Sequence, residues 1–182
     1  MLGIATTIAV HYPAAGRPLL VAIAGRPSPQ RPYPLRRVDP TCRLRGWRTL
    51  AAAVDDVRAE LRARGEDPVV AATVWNLPGI VAAYGDRHPT VYTIGLVAGD
   101  RLSQYDLWRP NPIWDPDAFR GRTFILVGGL SPALCDAFDA VEPPREVRYV
   151  EGDQPVAGWL ITVARGYRGF GPVERLLATA RH

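Results

Sequence analysis

The stretch of the chain richest in reactive side chains is RLSQYDLWRPNPIWDPDAF, Arg101 to Phe119. It sets Tyr105, Trp108, Trp114 and Phe119 among Asp106, Asp115 and Asp117, with Pro110, Pro112 and Pro116 to prevent a long helix. Glycoside cleavage needs two carboxylates at a defined separation, and aromatic faces suit the apolar C–H patches of sugar rings. The same residues also suit an ordered loop, with Trp108 and Trp114 packed on a sheet and the acids paired to Arg101, Arg109 or Arg120. The tract therefore reads as a sugar-binding loop, a carboxylate site or a rigid flap. No other segment supplies an acid/base partner, so no catalytic residue is assigned.

Elsewhere the raw material for chemistry is thin. ILVGGLSPAL places Gly128 and Gly129 between a strand and a helix start, where backbone N–H groups can hold an anion, but it lacks the GxGxxG spacing and the Walker lysine. RGYRGFG offers Arg165 and Arg168 beside glycines, either for phosphate or as a flexible exit from a strand. YGDRHP holds Asp86 and His88 without a linked nucleophile and reads as a solvated turn. Cys42 and Cys135 stand far apart, and with only three histidines the chain has poor material for a zinc site. We expect two buried free thiols, or one disulfide if the chain faces an oxidising compartment, with no metal and no cofactor.

The elements that must position these residues belong to one domain-sized chain of 182 residues, 47% hydrophobic and 22% charged. All 22 basic residues are arginine, as a GC-rich genome favours, and they are interleaved with acids. No basic stripe emerges, so nucleic acid is not an expected partner. Residues 1–24 hold two short apolar runs broken at His11, Pro13 and Arg17, neither reaching the roughly 20 apolar residues that span a bilayer, and they read as a β-hairpin or a membrane-segment stub. Residues 25–40 are rich in Pro and Arg and read as an extended linker, residues 41–172 as an α/β domain, and 173–182 as a tail.

Within that domain, Leu44, Trp47, Leu50, Val54, Val57 and Leu61 recur at helical spacing up to a stop at Gly65. PVVAATVW, TVYTIGLV and RTFILVGG are continuous apolar runs of the kind that form strands buried on both faces. NLPGIVAAYG reads as a short helix, PALCDAFDAV as a helix capped by Ser131, and EVRYVEG and GWLITVARGY as strands forming an antiparallel edge. The alternation predicts an α/β fold: a Rossmann-like, open, mostly parallel sheet of about five strands with flanking helices.

Read in order, DPTCRLRGWRTL, SQYDLW and RGYRGFG resemble the C-terminal region of bacterial family 39 membrane glycosyltransferases. That family is similar to dolichyl-phosphate-mannose–protein mannosyltransferases and lipid-A aminoarabinose transferases. The resemblance spans roughly Asp39 to Gly171, and its most specific parts are Arg45-Gly46-Trp47 and the segment from Gln104 to Trp108. It implies a non-catalytic tail domain, because the family's catalytic acids lie in an early extracytoplasmic loop that nothing here matches. It also implies an extracytoplasmic, membrane-associated location, a membrane catalytic part or the membrane itself as partner, and lipid-linked sugar as a possible ligand. Arg45, Gly46, Trp47 and Gln104 would then be structural markers, with Tyr105, Asp106 and Trp108 candidate ligand contacts. The competing expectation is a small cytoplasmic Rossmann-like protein binding a nucleotide or sugar phosphate at Gly128 and Gly129, or an inactive fragment.

Overall fold

The computed structural model of the protein describes residues 13–171. The chain divides into two units, one comprising Met1–Gly46 with Arg148–Gly158, the other Trp47–Val147 with Trp159–His182.

The larger unit is built on an open α/β sheet. Its strands are β1 (Val69–Ala72), β2 (Val91–Thr93), β3 (Phe124–Val127), β4 (Ala140–Val141) and parts of β5 (Arg145–Glu151) and β6 (Gln154–Arg165), whose residues 148–151 and 154–158 belong to the smaller unit. They lie in the order β2-β1-β3-β6-β4, with β5 paired to β6 off that path. β1 runs parallel to both its neighbours, with Val70 beside Val91 on one side and Ile125 on the other. β6 runs antiparallel to β3 and β4. The sheet is thus parallel in one half and antiparallel in the other. The apolar runs at β1, β2 and β3 shrink to strands of three and four residues, and only those residues enter the ladders.

Alternate residues of these strands feed two cores. Val70, Ala72, Ile125, Val127, Ile161 and Val163 face helices α2 (Trp47–Ala63) and α3 (Leu77–Tyr84). Leu50, Val54, Val57 and Leu61 form the buried stripe of α2, as their spacing requires, whereas Leu44 lies outside the helix and is exposed. Val69, Ala71, Phe124 and Leu126 face the other way, where among the described residues no long helix packs on them. There the Arg101–Phe119 tract supplies Ile113 and Phe119, and the chain end supplies Tyr167. A Pro-stiffened loop does the covering that a helix performs on the opposite face.

Two predicted elements differ here. The expected helix over 132–141 is a single turn, α4 (Pro132–Cys135), capped by Ser131. Beyond it Ala137 and Phe138 turn into the core, and Ala140 and Val141 pair with β6. Burying an aromatic ring and completing a ladder outweighs local helix propensity. RGYRGFG is likewise not a loose exit: Tyr167 is buried against Phe124 and Phe138, and its hydroxyl donates to Pro112 O at 2.7 Å. Burial pushes the Tyr167 phenol well above its ordinary pKa.

In the smaller unit, residues 13–24 form helix α1 rather than a strand of a hairpin; residues 1–12 lie outside the described residues. Leu20, Val21 and Ala24 of α1 pack on Leu35, Cys42 and Val156. The Pro/Arg-rich segment contributes two 3-10 turns, Pro34–Arg37 and Pro40–Leu44, with Leu35 fully buried. It therefore carries part of a small core and does not run extended. Among the described residues no helix is long and apolar enough to cross a membrane.

Candidate functional site

Three concavities collect the candidate residues, and each lies within one unit. The first forms where QYDL winds into a 3-10 turn, Gln104–Leu107. Asp106 is buried, and its Oδ2 accepts from the Ser103 N–H at 2.7 Å and from the Ser103 hydroxyl at 2.8 Å. Its backbone carbonyl takes the indole N–H of Trp114 at 2.7 Å. Asp106 is therefore a cap that shapes the loop, and it is not among the residues that line the adjoining groove. Gln104 is exposed at the start of that turn.

Shaped in this way, the loop holds Tyr105 edge-on to Trp108, with ring centroids 5.0 Å apart. Both rings line a groove of about 560 Å³ whose floor is Pro78, Gly79 and Ala82 of α3. Gly79 has no room for a β-carbon, because the Tyr105 hydroxyl occupies that space. Trp108 is 59% exposed and so does not pack on the sheet as expected. His88 and Arg109 are the ionisable groups at the wall besides Tyr105 and Tyr92, and no carboxylate lines the groove. Its lining lacks the carboxylate pair that glycoside cleavage ordinarily uses, and has apolar walls and an aromatic rim. Gly79 carries no sequence signal beyond the run of small residues in α3. His88, read as part of a solvated turn, is exposed and reaches the groove through a left-handed backbone (φ 46°).

The second concavity lies at the C-terminal ends of β1 and β3. From β1 the chain departs through α3 to one side, and from β3 through α4 to the other, so a crevice opens between them, as open α/β sheets generally show. Its volume is about 350 Å³, and Thr73, Asp100, Gly129 and Ser131 line it. Gly128 (φ 120°) sits so close to the Thr73 hydroxyl that a β-carbon is excluded. Asp100 accepts from the Trp75 N–H at 2.6 Å and the Arg101 N–H at 2.8 Å, and the Arg101 guanidinium stacks 3.9 Å above the Trp75 ring. An anion entering here meets a carboxylate, and α4 is one turn long, so the phosphate expectation at Gly128 and Gly129 lacks its electrostatic basis. Arg165 and Arg168 are no better placed for phosphate. Arg165 pairs with Glu142 at 2.6 Å and Glu66 at 3.3 Å, and Arg168 donates to Asp136 O at 2.7 Å.

The third concavity, about 640 Å³, belongs to the smaller unit and explains the Arg-Gly-Trp motif. Arg45 bonds Asp39 and reaches Glu151 at 2.7 Å, while Arg17 meets Glu151 at 3.2 Å. Burial alone would raise the Asp39 pKa, but bonds from the Thr41 hydroxyl and N–H, with Arg45 alongside, hold it below its ordinary value. Gly46 takes a positive φ of 84°, which glycine adopts freely. Trp47 then opens α2 and packs on Trp159 with centroids 5.5 Å apart. Arg45, Gly46 and Trp47 thus each make a local structural contribution, whereas Gln104 is exposed.

Cys42 and Cys135 are both free thiols, and among the described residues no cluster of three or more His, Cys, Asp or Glu could hold a metal. No protein family, curated protein or solved structure matches the chain.

Proposed function

We propose that the chain is a non-catalytic, sugar-binding domain that serves a polyprenyl-phosphate-sugar-dependent membrane glycosyltransferase on the extracytoplasmic face. The observation that carries this reading is the Tyr105–Trp108 groove, aromatic at its rim, apolar at its floor and free of carboxylates. Sugar rings stack on such rims through their C–H faces, and a site without an acid/base pair holds a glycan without cleaving it. The partner is the catalytic membrane part, and the groove engages the sugar-bearing portion of donor or acceptor.

Titration with neutral mono- and oligosaccharides, followed by indole NMR shifts, tests the reading. Saturable shifts of the Trp108 indole that vanish in Tyr105→Ala are expected. An unchanged Trp108 signal at millimolar saccharide, with the fold intact, overturns it.

A further inference from the structure

The arginines, interleaved along the sequence, separate by unit. Residues 1–46 and 148–158 carry eight arginines against three acids, a surplus of five positive charges. The remainder carries fourteen arginines against fifteen acids and is close to neutral. Two of the three acids in the smaller unit, Asp39 and Glu151, are already engaged by Arg45 and Arg17. Arg26, Arg31, Arg36, Arg37 and Arg43 are exposed, and none forms an ion pair among the described residues.

Apolar side chains stand free in the same unit. Leu19 and Ile23, four residues apart and hence on one face of α1, are 66% and 61% exposed, and Leu44 is 72% exposed. The opposite face of α1 is the one that packs on Leu35 and Val156. An exposed apolar pair on a helix, together with unpaired arginines, fits a headgroup layer over an acyl boundary. A nucleic acid would match the charge but not Leu19, Ile23 and Leu44.

From this we infer that the smaller unit docks on an anionic lipid surface, with its arginines on lipid phosphates and Leu19 and Ile23 entering the interface. The inference sharpens the membrane association of the proposed function and rests on that reading for its biological setting. Its physical basis, however, lies in a different unit from the sugar groove.

Co-sedimentation of the full chain with phosphatidylcholine vesicles, with and without phosphatidylglycerol, provides the test. Binding only to the anionic vesicles, released by high salt, is expected. Arg36→Glu with Arg37→Glu should weaken it by roughly tenfold or more, and Leu19→Ser with Ile23→Ser should weaken it while leaving the salt dependence. Circular dichroism reports whether each variant folds, and the charge variant, changing only exposed side chains, keeps the test decisive if the α1 variant does not. Equal binding to neutral vesicles, no binding at all, or equal binding to a single-stranded RNA of matched charge overturns the inference. Trp108→Ala should leave vesicle binding unchanged. A natural chain that binds the anionic vesicles but no saccharide therefore counts against the proposed function alone.

Discussion

Asp106 reaches back three residues to Ser103 and accepts from both its N–H and its hydroxyl, so one carboxylate closes the turn that presents Tyr105 and Trp108. Asp106→Ala leaves both donors without their partner in a mostly buried site, and such losses cost about 1–3 kcal/mol. Urea unfolding followed by tryptophan fluorescence should show that loss. Asp106→Asn should recover part of it, because an amide oxygen still accepts one bond. If the residue instead contacted ligand, the two variants would fold alike and differ only in binding.

Gly79 and Tyr105 are coupled by contact. Gly79→Ala gains helix propensity of about 1 kcal/mol but forces the Tyr105 ring outward, an overpacking cost of about 1–3 kcal/mol. Tyr105→Phe removes the obstructing hydroxyl, so the double variant should be more stable than the sum of the singles predicts. A double-mutant cycle read by thermal unfolding measures this; strict additivity would mean that the contact carries no energy.

Arg45 bridges Asp39 and Glu151, both largely shielded from solvent. Arg45→Met should destabilise the chain by about 3 kcal/mol, because it leaves the buried Asp39 carboxylate without its counter-charge, whereas Glu151 keeps Arg17. Arg45→Lys should be nearly as harmful, since an ammonium cannot reproduce the fork. Equilibrium unfolding of both variants checks the ranking.

The depressed pKa of Asp39 and that of Glu66, which the Thr123 hydroxyl and Arg165 hold down, set an acid limit on stability. A carboxylate with a lowered folded-state pKa contributes stability above its unfolded value, about pH 4, and loses it as pH falls through the folded value. Asp39→Asn should therefore be less stable than the natural chain at neutral pH, with the gap narrowing as pH drops below about 4. Parallel stability curves across that range would show that Asp39 makes no such contribution.

The legibility of the fold varied with how much of each element's stability is local. Helix α2 was readable because its buried stripe recurs at helical spacing, and α3 because Pro and Gly bracket it. The runs that form β1, β2 and β3 were placed correctly but drawn too long, since an apolar run does not record where its ladder partners end, whereas β6 begins four residues before the run read for it. The helix over 132–141 failed because Phe138 and the β4–β6 pairing are long-range claims on a locally helical sequence. At the candidate site, the aromatics of Tyr105 and Trp108 were legible by type. The burial of Asp106 and the part played by Gly79 were not, because both depend on what folds against them. The linker reading of residues 25–40 missed Leu35 because one buried leucine among prolines and arginines leaves no periodic trace.

The smaller unit draws its core from two distant stretches: Leu35 and Cys42 come early, while Tyr149 and Val156 come from the tip of the β5–β6 hairpin. No single cut in the chain can remove it cleanly. A chain shortened to begin at Trp47 would keep the hairpin tip and expose Val156, so it should aggregate. Excising 148–158 as well, with a tight turn joining Val147 to Trp159, would be the minimal route to the larger unit on its own. The boundary of this protein is therefore a pair of seams, and its dissection calls for an internal deletion as well as a truncation.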